Sequence, residues 1–492
     1  MMRQSTSAAF CLLASAAVQA ASATKPNIVY ILTDDLGFGD VGCNNPESKI
    51  PTPYLDKFAS QGMRFTDAHT NSSVCSPTRY GIMTGRYCWR SRLKKQVLSG
   101  YSDHLIEDGR TTVGSFLQKQ GYDTALIGKW HLGWDWGLKD GYDRKKFKSK
   151  NPKSSMANAK TVDFSKPVTH GPSTNGGFSY YFSACGSLDM PPYVYVENDK
   201  PLSVPTKITE NKNRYGWARK GLTAEDFKHD ESTPEYMKRS IAYIKEKAKT
   251  KKPFFLYIPL PSPHTPIVPT DQFKGKSGIN VYADFVMQVD WTAGQIINAI
   301  DQAGIKDNTL VIFTSDNGCS PRANIPLLNK AGHDPHAGLR GTKADIWEGG
   351  HRVPFLVRWP EKIKANQVNN QLVGVTDLLA TVADICNIPL KDNEGEDSIS
   401  MLPTLLDKNK KVRDNYVYHS VSAMFAFRQG DFVFIDGKGS GGWTKGNDGE
   451  RVQLYNLKED LAQTKNIHKK FPEKVKSMKA LLEKQKKQGF SK

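Results

Sequence analysis

The chain is poor in cysteine and contains no apolar run long enough to span a bilayer. It has seven cysteines among 492 residues, and none lies in a CxxC or Cys/His cluster, so nothing marks a zinc site. Cys43, Cys88, Cys185, Cys319 and Cys386 are widely scattered. With Cys75 set aside they are odd in number and form no disulfide framework; a bridge or two is the most they allow. There is no internal repeat. Acidic residues number 50 against 68 basic ones, a formal net charge of +18. No nucleic-acid reading module accompanies that excess, so nucleic acid is not the expected partner.

What is present begins with an export signal. Arg3 supplies the positive start, Ala8 to Val18 the short apolar core, and small residues lead to a cut after Ala20 or within Ala21-Ser22-Ala23. Residues 1–23 therefore read as a signal peptide, the protein as exported (periplasmic or secreted), and the mature chain as not membrane-spanning. Lysines crowd Lys139 to Lys166 and Lys465 to Lys492. In an exported protein such charge suits a sulfated or otherwise acidic glycan, or simply solvated surface.

Apolar, β-branched runs alternate with helical periodicity. Strands are expected at Asn27 to Thr33, Asp123 to Ile127, Pro253 to Pro259, Asn308 to Thr314 and Val353 to Trp359. Helices are expected at Tyr54 to Gln61, Thr112 to Lys119, Pro234 to Lys249, Tyr282 to Ala303 and Thr376 to Ile385. The alternation predicts an α/β fold around a mixed, mostly parallel sheet between helices. After about residue 408 come short strands at Asn415 to Ser420, Phe425 to Ile435 and Val452 to Asn456. A basic helix, Pro472 to Lys487, closes the chain. The expected domains are 24–408 and a small C-terminal α+β domain with an antiparallel sheet, 409–492.

Ligands of open α/β sheets bind beyond the carboxyl ends of the strands. Four predicted strands lead there into polar clusters: Asp34-Asp35, Lys129-Trp130-His131, His264, and Asp316-Asn317. Each alone is ordinary turn chemistry; together they describe a site. Three carboxylates and an amide offer only oxygen, which suits a hard cation such as calcium. His131 and His264 can serve as acid and base near neutral pH.

Cys75-Ser76-Pro77-Thr78-Arg79 reads as a turn feeding a helix, with the proline at its first position and Cys75 at its positive end. The stretch resembles the signature of type I sulfatases, in which this cysteine is oxidised to formylglycine by a maturation enzyme. Tyr80 to Arg86 continues the likeness. So do Asn27 to Gly39, Gly128 to Gly133, the PSPHTPIVP loop, Ser315 to Gly318 and Leu339 to Pro354, in family order across nearly the whole chain. The resemblance implies an alkaline-phosphatase-like large domain. It implies one calcium ion held by Asp34, Asp35, Asp316, Asn317 and the modified Cys75. It implies that Arg79, Lys129 and Lys343 contact the formylglycine or the sulfate, that His131 helps the sulfated intermediate collapse, and that His264 protonates the leaving alcohol.

Phe178 to Asn198, Tyr418 to Ser420, Gly439 to Trp443 and Gln453 to Asn456 resemble bacterial carbohydrate sulfatases related to N-acetylgalactosamine-6-sulfatase. That likeness points to 6-O-sulfated galactose or N-acetylgalactosamine, with Asp189, His419 and Trp443 as candidate sugar contacts. Trp130, Trp134 and Trp136 suit either wedge packing or a sugar platform. Two rivals stay open: a phosphodiesterase or phosphonate hydrolase of the same fold, and a non-catalytic binder of polyanionic glycans. Turnover of nitrophenyl sulfate against nitrophenyl phosphodiesters separates the first, and binding without turnover identifies the second.

Overall fold

A computed structural model describes residues 25–144, 155–446 and 450–491. The expected signal peptide, 1–23, lies outside the described residues, as does part of the Lys139 to Lys166 stretch. Among the described residues no helix is long and apolar enough to cross a membrane.

Among the described residues ten strands form the main sheet. At its centre five run parallel, in the order Thr309–Ser315, Asn27–Asp34, Phe254–Pro263, Asp123–Lys129 and Tyr180–Ala184. Antiparallel partners flank them: Phe355–Arg358 on one side and Val196–Glu197 on the other. Helices cover the sheet, so its central strands are buried on both faces and read as continuous apolar runs. The predicted strands and helices stand within a few residues of their expected places. Val353 to Trp359 shrinks to Phe355–Arg358, since Pro354 has no N–H to give the ladder. Phe425 to Ile435 splits at Gly430 into a hairpin of Phe425–Gln429 and Phe432–Asp436.

Two features of the main sheet set up the site. The Phe254–Pro263 strand crosses the molecule carrying three prolines at its carboxyl end, and its register with the first strand slips between Leu32 and Asp34. Gly128 lies against it so closely that a Cβ there would stand 2.2 Å from the Pro259 carbonyl oxygen. Only glycine fits that approach, and the next residue is Lys129.

The Cys75–Thr84 helix is buried along its whole length and ends at Gly85 in the left-handed region. Cys75, not Pro77, begins it. The proline takes the third helical position, where its missing N–H is still one the helix cannot use. Asn71 Nδ2 donates to the Pro77 carbonyl (2.9 Å) and Thr78 Oγ1 to that of Ser72 (2.8 Å), fixing the entry turn.

A second, four-stranded antiparallel sheet runs Asn415–His419, Phe425–Gln429, Phe432–Asp436, Gln453–Asn456. The Pro472–Gln488 helix buries Met478 and Leu482 against it. The same apolar cluster takes in Tyr87, Trp89, Ile346 and Trp347, so the small sheet is fastened to segments leading from the site. The six described cysteines form no disulfide with one another.

Candidate active site

Each of the four predicted strand ends delivers its polar residues to one place. Lys129 Nζ donates to Asp34 Oδ2 at 2.5 Å and to Ser187 Oγ at 2.7 Å. Arg79, one turn along the Cys75 helix, pairs with Asp316 Oδ2 through Nη2 at 2.7 Å and donates from Nη1 to the Lys129 carbonyl at 3.0 Å. Lys343 Nζ stands 2.6 Å from Asp35 Oδ1, and Asn317 Nδ2 donates to the same oxygen at 2.7 Å. Arg79, Lys129, Asp34 and Asp316 are wholly buried. Three cations thus face three carboxylates in a region nearly closed to water, where such pairs interact strongly.

Burial opposes ionisation of Asp34, yet Lys129, His264, Arg79 and Lys343 hold it well below the usual carboxylate range. Asp316 moves the other way, raised by burial and by the Asp34 charge. Burial likewise raises the Cys75 thiol.

The donor set fits a hard cation. Asp34 Oδ1 and Asn317 Oδ1 are buried and have no hydrogen-bond partner among the described residues. Ligand atoms of Asp34, Cys75 and Asp316 lie within 4.8 Å of one another, as do those of Asp34, Asp35 and His264. Three carboxylates and an amide, two of whose oxygens are unpartnered, give such a cation oxygen ligands.

The two histidines differ in tautomer. His264 Nδ1 donates to the Thr265 carbonyl at 2.7 Å, which leaves Nε2, 3.7 Å from Asp35 Oδ2, as the atom that can carry a proton to a ligand. His131 donates from Nε2 to the Leu98 carbonyl at 2.9 Å, and its buried Nδ1 is without a partner. Burial and the Lys129 charge push His131 well below its usual value, so it is a neutral base.

Residues 26–388 match the Sulfatase family, and residues 342–488 match the C-terminal part of N-sulphoglucosamine sulphohydrolase. The chain belongs to the sulfatase family. It is 32% identical to N-acetylgalactosamine-6-O-sulfatase of Bacteroides thetaiotaomicron, over 93% of each chain. It is 29% identical to human steryl-sulfatase, over 82% of this chain and 73% of that one. A solved Bacteroides thetaiotaomicron sulfatase, described with the metabolism of multiple glycosaminoglycans, superposes with a TM-score of 0.81 at 30% identity, covering 94% of this chain and 99% of that one. The protein is therefore a sulfuric ester hydrolase with the alkaline-phosphatase-like fold.

The cavity of this sulfatase, about 630 Å³, opens over the strand ends; Cys75, Lys343, His264, Asp189 and Trp443 border it. Trp443 is half-exposed, with Lys343 Nζ 6.0 Å from its ring centre. Asp189 pairs through Oδ2 with Arg219, and its buried Oδ1, 3.9 Å from His264 Nδ1, has no hydrogen-bond partner.

His419 requires a correction. It is 1% exposed and does not border the cavity. Its Nδ1 donates to the Ser420 carbonyl, and its backbone carbonyl accepts from Ser73 N at 3.1 Å. The residue supports the Ser72-to-Cys75 turn rather than a sugar. The tryptophan platform fails too: Trp130, Trp134 and Trp136 are each 1% exposed, and the indoles of Trp130 and Trp136 donate to the Gly133 and Gly100 carbonyls. They pack the wedge beside the strand ends.

Sequence reasoning missed Ser187 and a group of arginines at the mouth, Arg214, Arg219 and Arg322. A fifth strand end, Tyr180–Ala184, carries Ser187 and Asp189 to the site. Its apolar run followed by Ser-Leu-Asp is the signal that could have revealed it.

Proposed function

We propose that this sulfatase is an exported glycan sulfatase that removes 6-O-sulfate from galactose or N-acetylgalactosamine. Position 75 is formylglycine, generated by a maturation enzyme, and calcium is the metal. The observation that carries the substrate class is the likeness to N-acetylgalactosamine-6-O-sulfatase across nearly the whole of both chains. The +18 charge and the half-exposed Trp443 at the mouth suit an acidic glycan. In this reading residues 24–408 are the catalytic domain and 409–492 a smaller one that contributes Trp443 to the cavity.

Asp34, Asp35, Asp316 and Asn317, with position 75, would hold the calcium ion, which when bound supplies positive charge to the sulfuryl oxygens. The hydrated aldehyde at position 75 supplies the attacking oxygen. Lys129, Lys343 and Arg79 form a fixed positive field where negative charge grows, the kind of preorganised term that lowers such barriers most. Arg79 also orients Asp316 and, through the Lys129 carbonyl, the backbone of the second strand end. As the ester bond breaks, His264 in its imidazolium form keeps its Nδ1–H on the Thr265 carbonyl and gives its Nε2 proton to the departing sugar oxygen. His131 Nδ1, neutral and unpartnered, accepts the proton that must leave position 75 before sulfate is released. Asp189 Oδ1 and the Trp443 ring are the sugar contacts.

The test is a screen of 6-, 4-, 3- and 2-O-sulfated galactose and N-acetylgalactosamine with matured protein, reading released sulfate. The expected result is preferred release from a 6-O-sulfated sugar. Preference for a 3-O- or 4-O-sulfated sugar, or for nitrophenyl phosphodiesters over nitrophenyl sulfate, contradicts the reading.

A further inference from the structure

The cations deep in the site are already balanced: Lys129 by Asp34, Arg79 by Asp316, Lys343 by Asp35. Two of the three at the cavity mouth are not. Arg214, Arg219 and Arg322 border the same cavity as Cys75 and His264. Only Arg219 has a carboxylate partner, Asp189. Among the described residues no acid lies within ion-pair reach of Arg214 or Arg322.

These arginines are also held in place. The Arg219 and Arg322 guanidiniums lie 4.5 and 4.8 Å from the centre of the Trp217 ring. Two like charges share one indole, which is tolerable only because the ring face attracts each of them. Arg214 and Trp217 sit in the turn between the strands Lys207–Asn211 and Ala218–Thr223. That turn is pinned from two sides: Ile267 N donates to the Tyr215 carbonyl at 2.7 Å, and Asn324 Nδ2 to the Tyr215 hydroxyl at 3.3 Å. Ile267 follows the His264 loop and Asn324 follows Arg322, so three chain segments fix the patch beside the leaving-group histidine.

A guanidinium stacked on an indole loses little further freedom when it binds, and its planar fork matches a carboxylate or a sulfate with two parallel hydrogen bonds. Solvation alone explains neither the stacking nor the pinned turn. We propose that Arg214, Arg219 and Arg322 around Trp217 form a second anion subsite, which receives a carboxylate or sulfate on the sugar next to the one bearing the scissile ester. This rests on the glycan-sulfatase reading and sharpens it: the natural substrate carries at least two anionic groups on neighbouring sugars.

The test uses matured protein and three disaccharides of 6-O-sulfated N-acetylgalactosamine, differing only in the neighbouring sugar: glucuronate, a sulfated glucose, or neutral glucose. The wild type should show at least a tenfold higher kcat/KM for one of the two anionic neighbours than for the neutral one. Whichever neighbour gains identifies the anion as carboxylate or sulfate. The Arg214→Ala/Arg322→Ala double variant should shrink that preference at least fivefold. A wild-type preference near one, or one that the double variant leaves intact, overturns the subsite while sulfate release continues. Absence of sulfate release from all three contradicts the substrate reading instead. The subsite is then decided by calorimetric binding of the same disaccharides to Cys75→Ala protein, where the tenfold preference should appear in Kd and equal Kd values overturn it.

Discussion

Lys129 Nζ reaches Asp34 Oδ2 at 2.5 Å although the two residues end strands separated by a third, Phe254–Pro263. Gly128 lets the strand that ends in Lys129 close on Pro259, and the register of Asn27–Asp34 against Phe254–Pro263 slips just before Asp34. One oxygen of Asp34 is thereby taken and the other left for a cation. A sheet edge thus becomes a site with a fixed arrangement of charge.

Ser187 shares Lys129 with Asp34, and its hydroxyl directs the ammonium. A hydrogen bond to a charged group contributes about 1.5–3 kcal/mol. Ser187→Ala should therefore lower kcat/KM roughly 10- to 100-fold and lower Tm as well, because it leaves a buried ammonium short of a partner. A kinetic constant within twofold of wild type on a sulfated sugar would show that Asp34 alone orients Lys129.

Chelation of the matured protein, or Asp316→Ala, should cut sulfate release by roughly a hundredfold or more and lower Tm. A metal bound only to the folded state adds about 2.7 kcal/mol of stability when present at a hundredfold excess over its Kd. Calcium added to the chelated wild type should restore both readouts, and to Asp316→Ala neither. A metal-free sample with full activity and unchanged Tm contradicts the assignment of these carboxylates.

His419 is held neutral: burial pushes it down to about 4, and the only hydrogen bond that opposes this is to the Ser420 carbonyl. The unfolded chain binds a proton near pH 6.5 that the folded chain refuses until about pH 4. Its contribution to stability is therefore intact above pH 6.5 and falls by about 1.4 kcal/mol per pH unit between those limits. Urea midpoints of wild type and His419→Gln, compared from pH 7 to pH 4, should converge as the pH falls. Parallel curves would show that folding does not lower the proton affinity of His419. A loss on aryl sulfate as large as on a sulfated sugar is also expected of this variant, because the side chain sits behind the Cys75 turn.

Much of this architecture was legible in the sequence, for physical reasons. Strands such as Asn27–Asp34 and Thr309–Ser315 are buried on both faces, so they stand out as unbroken apolar runs, and the polar residue after each run marks the rim of the sheet. The Lys207–Thr223 hairpin was not legible. It lies largely exposed, its residues show no apolar period, and it brings Trp217 and Arg219 to the mouth unannounced. His419 misled for a different reason: Asn415–His419 is buried on both faces from Tyr416 onward, so its run identifies a strand but not which way its last residue faces. The three tryptophans suit a core or a sugar platform equally well by composition, and only packing distinguishes the two.

The central claim is that position 75 supplies the nucleophile for sulfate-ester hydrolysis. The most direct measurement is sulfate release from 6-O-sulfated N-acetylgalactosamine by matured wild type and by Cys75→Ala, with peptide mass spectrometry of residues 74–79 on the same samples. The account predicts the aldehyde or its hydrate in active wild type, and no detectable turnover by a Cys75→Ala protein that keeps the wild-type fold by circular dichroism. Near-full activity in Cys75→Ala, or full activity in wild type whose residue 75 is entirely unmodified thiol, contradicts it.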